Sequence, residues 1–180
     1  ELDELGRLLR SGRDRLVSIV GFGGSGKTRL AVEAARAVLQ GGHCEVAYVP
    51  LTGTSDEDRL LRTLLGAFGL TAEDVDAEQA LVAELQRRDL LLVLDNFEAL
   101  LTRLLEAAPG LRLLVTTRES LQVTGEVRLE LEGLDTPAAG EEVTSEYGAV
   151  RLFLQRAARA SPQFAPGGGE RETVGRICRL

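Results

Sequence analysis

Leu16-Val17-Ser18-Ile19-Val20 runs straight into Gly21-Phe22-Gly23-Gly24-Ser25-Gly26-Lys27-Thr28, and residues 29–40 then carry Leu30, Ala31, Ala34, Ala35, Val38 and Leu39 at three and four spacing. An apolar strand, a glycine-rich turn and an amphipathic helix in that order form one unit of an α/β protein. The octet fits the pattern G-x-x-x-x-G-K-[ST] in its confirming context, after a strand and opening a helix. Its glycines allow successive backbone N–H groups to turn inward around an anion, and the helix N-terminus adds partial positive charge there. Gly21, Gly23, Gly24, Ser25, Gly26 and Arg29 are thus expected to line a phosphate cradle, with Lys27 reaching the β/γ oxygens and Thr28 offering a hydroxyl to Mg²⁺.

Outward from this unit the chain alternates. Leu2, Leu5, Leu8 and Leu9 predict a short opening helix before Ser11-Gly12, and Gly41-Gly42 ends the helix after the loop. Strands are expected at residues 45–49, 90–94, 111–116 and 127–131, and helices at 54–68, 77–87 and 97–107. Ser55 and Asp58 suggest a weak capping box for the first of these helices. Leu90 to Leu94 is apolar throughout, as in a strand covered on both faces, while residues 127–131 alternate as an edge strand does. This order predicts a three-layer sandwich around a mainly parallel five-stranded sheet.

After Glu132 the composition shifts to Gly133, Pro137 and Gly140, which places a boundary near residue 135 between a core of residues 1–135 and a helical subdomain of residues 136–180. There, a helix is expected at 144–160 with Val150, Phe153, Leu154, Ala157 and Ala158 inward, and another at 170–180 carrying Val174, Ile177 and Cys178. The chain lacks methionine, which together with the final helix reads as a piece of a longer protein.

With 180 residues, 44% apolar and 27% charged, there is material for one sizeable core. No apolar run approaches the roughly 18 residues of a membrane span, and the charged opening is unlike a signal peptide, so a cytoplasmic protein without membrane contact is expected. A net charge of -7 without a basic patch argues against direct nucleic-acid contact. Cys44 and Cys178 lack metal spacing and read as reduced, mostly buried thiols. All cations but Lys27 are arginine, so one position alone keeps a compact ammonium.

The remaining candidates end strands, where open α/β sheets bind ligands. Asp95, closing the third strand beside the loop, is expected to hold Mg²⁺ through water; it also suits the cap of a helix beginning at Asn96. Glu98 is the nearest spare carboxylate, and two roles fit it equally, orienting the attacking water or completing a helix cap. In Thr116-Thr117-Arg118 a hydroxyl pair and a forked guanidinium are placed to report a γ-phosphate, although Arg118 is also one of many surface arginines. His43 follows the first long helix, on the face opposite the phosphates, and is set aside as a base.

Gly21-Phe22-Gly23-Gly24-Ser25-Gly26-Lys27-Thr28-Arg29-Leu30-Ala31, Leu92-Val93-Leu94-Asp95-Asn96-Phe97-Glu98 and Leu114-Val115-Thr116-Thr117-Arg118-Glu119, with Ala149-Val150-Arg151-Leu152-Phe153-Leu154-Gln155-Arg156-Ala157, together resemble the NB-ARC-like domain of STAND signal-transduction ATPases. The closest form is that of bacterial LuxR-type and antibiotic-regulator-type transcription regulators. The resemblance implies a switch between ADP and ATP states that self-associates when ATP-bound, and slow hydrolysis is expected because Asn96 follows Asp95 and no partner supplies an arginine in trans. It implies Lys27 and Thr28 as the Walker A pair, Asp95 as the Walker B ligand of Mg²⁺ and Arg118 as the sensor-1 arginine. Its partners would be further domains of one long chain: a winged helix, sensor repeats and an effector domain. The family's Gly-Arg-Glu element before the first helix is absent here. Two rival readings are a P-loop kinase acting on a small acceptor, which the Asp-Asn-Phe-Glu and Thr-Thr-Arg segments disfavour, and a scaffold that no longer binds nucleotide, which the intact Lys27, Thr28 and Asp95 disfavour.

Overall fold

The apolar strands expected from the sequence lie side by side in one sheet, β2-β3-β4-β1-β5, and every neighbouring pair is parallel. The structure is a computed structural model that describes residues 1–50, 57–70, 76–95 and 101–179. The strands are β1 (Leu16–Val20), β2 (Glu45–Pro50), β3 (Leu90–Asp95), β4 (Leu111–Thr117) and β5 (Glu126–Glu130). Around them run α1 (Leu2–Ser11), α2 (Lys27–Gln40), α3 (Glu57–Ala67), α4 (Ala77–Leu85) and α5 (Leu101–Ala107). The Ser55–Asp58 capping box, Asn96, Glu98 and the start of the helix expected from residue 97 lie wholly or partly outside the described residues.

Because side chains alternate along a strand, β3 feeds two cores at once. Leu90, Leu92 and Leu94 join Leu60, Leu64, Leu81, Leu85 and Leu104 on one face, while Leu91 and Val93 join Leu5, Leu9, Ala31, Ala34 and Val38 on the other. This arrangement explains the uninterrupted leucine run: a strand between two helical layers has no solvent face to mark with polar residues. The alanines of α2 permit that helix to sit close above β1, and the strand that precedes the glycine loop is thereby buried from Leu16 to Ile19.

Both sheet edges carry charge, Glu45 on β2 and Glu126, Arg128 and Glu130 on β5. Such residues discourage further strand pairing. β4 and β5 are consecutive in sequence yet separated by β1, so residues 118–125 pass over β1 from the carboxyl end of β4 to the amino end of β5 with no helix between.

Chain contacts divide the protein into two units, Glu1–Glu132 and Gly133–Leu180. The second holds α6 (Gly148–Ala160) and α7 (Gly168–Cys178) around Val143, Val150 and Val174, with Phe153 and Phe164 meeting edge to face at 6.3 Å. α6 begins four residues later than the apolar spacing predicts, at Gly148 instead of residue 144. The reason is a cap from outside the local sequence: Gly148 N–H donates to Asp135 Oδ1 at 2.8 Å and Ala149 N–H to Asp135 O at 3.2 Å. Ala158, expected inward, is exposed, as is Ile177 of α7, because the core of this unit is narrow. Cys44 and Cys178 are free but only half-buried, and partial burial pushes both thiols up.

Candidate functional site

The five parallel strands bring their carboxyl ends to one side, and the loop after β1, Asp95 at the end of β3 and Arg118 just past β4 all emerge there. Loop geometry follows from two backbone demands. Gly24 and Gly26 have φ of +82° and +97°, a region that side chains disfavour. Gly21 is confined by space instead, since a Cβ there would lie 2.5 Å from the Leu131 carbonyl oxygen. The loop therefore hugs the β1–β5 junction and then turns sharply into α2. Gly26 is the N-cap of α2, no side chain among the described residues caps that terminus, and no acidic residue stands in the first turn. The first N–H groups of α2 and its dipole are left facing the loop's concavity.

Into this concavity project three side chains. Lys27 Nζ donates to the carbonyls of Gly21 and Phe22 at 2.8 and 2.6 Å, so the ammonium is folded back over its own loop. Thr28 Oγ1 lies 3.2 and 3.1 Å from the two oxygens of Asp95, which ties the first turn of α2 to the end of β3. Ser25 Oγ is buried and has no hydrogen-bond partner among the described residues. A buried hydroxyl left in this state costs stability and calls for an external partner. An orphaned hydroxyl, an uncapped helix start and an ammonium within one loop suit an anion with several oxygens, and the donor set therefore fits a nucleotide phosphate chain. Thr28 and Asp95 supply two hard oxygen donors of the kind Mg²⁺ accepts. Among the described residues no group of three or more His, Cys, Asp or Glu is placed to hold a metal, which leaves the rest of such a shell to phosphate and water.

Thr116 and Thr117 depart from the expected role. Both are buried and spent on protein partners, Thr116 Oγ1 donating to Asp95 and Thr117 Oγ1 to the Glu119 carbonyl at 2.8 Å. Only Arg118 of this trio is exposed, and a Cβ added at Gly23 would lie 3.9 Å from its Nη2, so its guanidinium stands over the loop. His43 precedes β2 at the amino end of the sheet, away from all of these groups. Arg29 is exposed on the first turn of α2.

A reading of sequence alone does not pair two residues with Asp95. Thr116 stands opposite it in the β3–β4 register, and Tyr48 lies on the adjacent strand, where burial first and then the Asp95 charge push its phenol up. Only the strand order brings these positions together.

Comparison with known proteins now places the fold. The family model of the NB-ARC domain matches residues 2–137. The chain belongs to the NB-ARC family. A Mycobacterium bovis protein that carries the provisional name of HTH-type transcriptional regulator is 35% identical over 176 residues, covering 93% of this chain and 19% of the relative. An uncharacterized protein of the same species is 31% identical over 191 residues, covering 99% of this chain and 45% of the relative. The NB-ARC chain thus spans less than half the length of the curated relatives it matches. Among solved structures, Cdc6p from Pyrobaculum aerophilum superimposes with a TM-score of 0.59 at 14% identity over 92% of this chain and 50% of its own. AMPPCP-bound DnaA from Aquifex aeolicus gives 0.54 at 14% identity over 98% of this chain and 53% of its own. Both likenesses support a P-loop NTPase fold with a mainly parallel sheet and flanking helices, the architecture expected from the sequence. No helix among the described residues is long and apolar enough to cross a membrane.

Proposed function

We propose that this NB-ARC chain is an ATP/ADP-dependent switch module of a larger signalling or transcription regulator, which binds Mg-ATP and hydrolyses it slowly. The observation that carries this reading is the loop of residues 21–28, where an ammonium, an uncapped helix start and an orphaned buried hydroxyl converge beside the Thr28–Asp95 pair. Gly21, Gly23, Gly24, Ser25, Gly26 and Arg29 form the cradle, Lys27 meets the β/γ oxygens, and Thr28 with Asp95 holds Mg²⁺. Mg²⁺ held by Thr28 and Asp95 would supply charge neutralisation to the phosphate chain. Thr116 keeps Asp95 oriented from the neighbouring strand. Arg118, exposed above the loop, distinguishes a triphosphate from a diphosphate.

The longer relatives, one named as an HTH-type regulator, support a place among further domains of one chain. In this reading residues 1–135 are the nucleotide-binding core and residues 136–180 begin a helical ARC1-like subdomain. The module works in the cytoplasm, makes no direct nucleic-acid or membrane contact, and self-associates according to its nucleotide state.

Calorimetric titration of the chain with Mg-ATP and with ADP tests the proposal. One saturable site is expected for each, lost in Lys27→Ala while the circular-dichroism spectrum is kept. Equal heats from the wild type and the variant would remove the phosphate cradle and the switch with it.

A further inference from the structure

The Glu126 carboxylate at the start of β5 accepts four hydrogen bonds from two directions. Oε1 takes the hydroxyl of Ser18 at 2.5 Å and the N–H of Leu121 at 3.2 Å. Oε2 takes the hydroxyl of Ser120 at 2.9 Å and the N–H of Gln122 at 3.1 Å. Ser18 is fully buried in the middle of β1, the strand that leads into the glycine loop. Ser120, Leu121 and Gln122 belong to the crossing that follows β4, and Gln122 is held there at φ +53°, the positive φ found at a non-glycine residue among those described. One carboxylate on an edge strand therefore fastens the loop-bearing strand to the segment that begins at Arg118.

We infer that Glu126 is a positioning residue for nucleotide discrimination: it fixes the turn after β4 against β1 and thereby sets Arg118 over the glycine loop. The inference rests on the phosphate-sensing reading of Arg118 and deepens it. Arg118 is exposed and long, so its reach depends on where its backbone is held. On one side that backbone is the last rung of β4, and on the other Thr117 Oγ1 and Glu119 N–H lock the next residue at 3.2 Å before the Glu126 bonds begin. Four donors converge on this carboxylate, and an amide in its place has a single acceptor oxygen. Whichever way the amide turns, one pair of donors then faces an NH₂ group. The turn loosens while the size of the side chain is unchanged.

Two measurements on Glu126→Gln test the assignment, alone and combined with Arg118→Ala. In nucleotide-free protein, the amides of Leu121 and Gln122 should exchange faster while those of β1 and β4 keep their protection. The preference for a non-hydrolysable ATP analogue over ADP should fall by about tenfold, the worth of one hydrogen bond to a charged group. In an Arg118→Ala background the same substitution should lower that preference no further, because both act through one group. A preference that is unchanged in Glu126→Gln but reduced in Arg118→Ala would overturn the positioning role and leave Glu126 as a fold contact. A preference unchanged in both would remove the sensing role of Arg118 itself, and this inference with it. If Glu126→Gln fails to fold, Ser120→Ala removes one of the four bonds, and the same loss in smaller measure is expected; an unaltered preference there, with normal Leu121 exchange, counts against the inference.

Discussion

Lys27 is the residue whose chemistry is hardest to replace. Its ammonium already satisfies two loop carbonyls at 2.8 and 2.6 Å, a geometry suited to a compact charge on a flexible stem. Lys27→Arg and Lys27→Ala should both lose most Mg-ATP affinity with the fold intact, since a planar guanidinium is too wide for a loop closed around a point charge. Titration of the two variants beside the wild type checks this, and near-normal affinity in both would exclude the assignment. Arg118 makes a different prediction. If its guanidinium forks onto the terminal phosphate, Arg118→Ala weakens a non-hydrolysable ATP analogue by about 1.5 to 3 kcal/mol, the range for a charged hydrogen bond, and leaves ADP nearly unchanged. Equal losses for both nucleotides would make it a surface arginine that supports the loop.

At the scale of elements, the junction of β1, the glycine loop and β5 concentrates the structural constraints. Gly21→Ala would put a methyl group 2.5 Å from the Leu131 carbonyl oxygen, which is backbone and cannot step aside cheaply. A loss of about 1 to 3 kcal/mol is expected from such overpacking, read by urea denaturation. Acid should act on the same junction. Burial raises the Glu126 carboxyl, but its hydrogen bonds from Ser18, Ser120, Leu121 and Gln122 outweigh this and hold it below its ordinary 4.5. A carboxyl whose folded value is depressed stabilises the protein above its unfolded value and loses that contribution as pH falls through the folded one. The stability difference between wild type and Glu126→Gln should hold from neutral pH down to about 4.5 and shrink below it. A difference that stays constant into stronger acid would contradict the hydrogen-bonded carboxylate. This junction also marks what the sequence discloses. The leucine run of β3, the glycine octet and Asp95 declare themselves through local pattern, because burial on both faces and phosphate geometry each impose a residue type. Ser18 and Glu126 are 108 positions apart and Thr116 and Asp95 are 21 apart, and their meeting depends on strand order and register, which no local pattern encodes. The late start of α6 has the same origin, its cap being Asp135 rather than a neighbour.

At the scale of the whole chain, the proposed switch predicts a slow turnover. Phosphoryl transfer relies on positioning and charge stabilisation, and the residue after Asp95 is Asn96, whose amide cannot accept a proton. Glu98 is the nearest carboxylate in sequence, with water orientation and helix capping as its two candidate roles, and an arginine supplied by another domain or copy is typically worth on the order of 10³ to 10⁵ in rate. In the proposed switch, slow hydrolysis would keep the ATP state long enough for it to act as a signal to the remainder of a regulator. The proposed switch is tested most directly by single-turnover hydrolysis of Mg-ATP by the chain, with Glu98→Gln in parallel. The expected rate is well below about 1 per minute, with ADP retained after the turnover; a further slowing in Glu98→Gln would assign Glu98 to the attacking water, and an unchanged rate would return it to helix capping. Steady hydrolysis at several per second, with prompt release of ADP, would contradict the switch and make the protein a working phosphohydrolase.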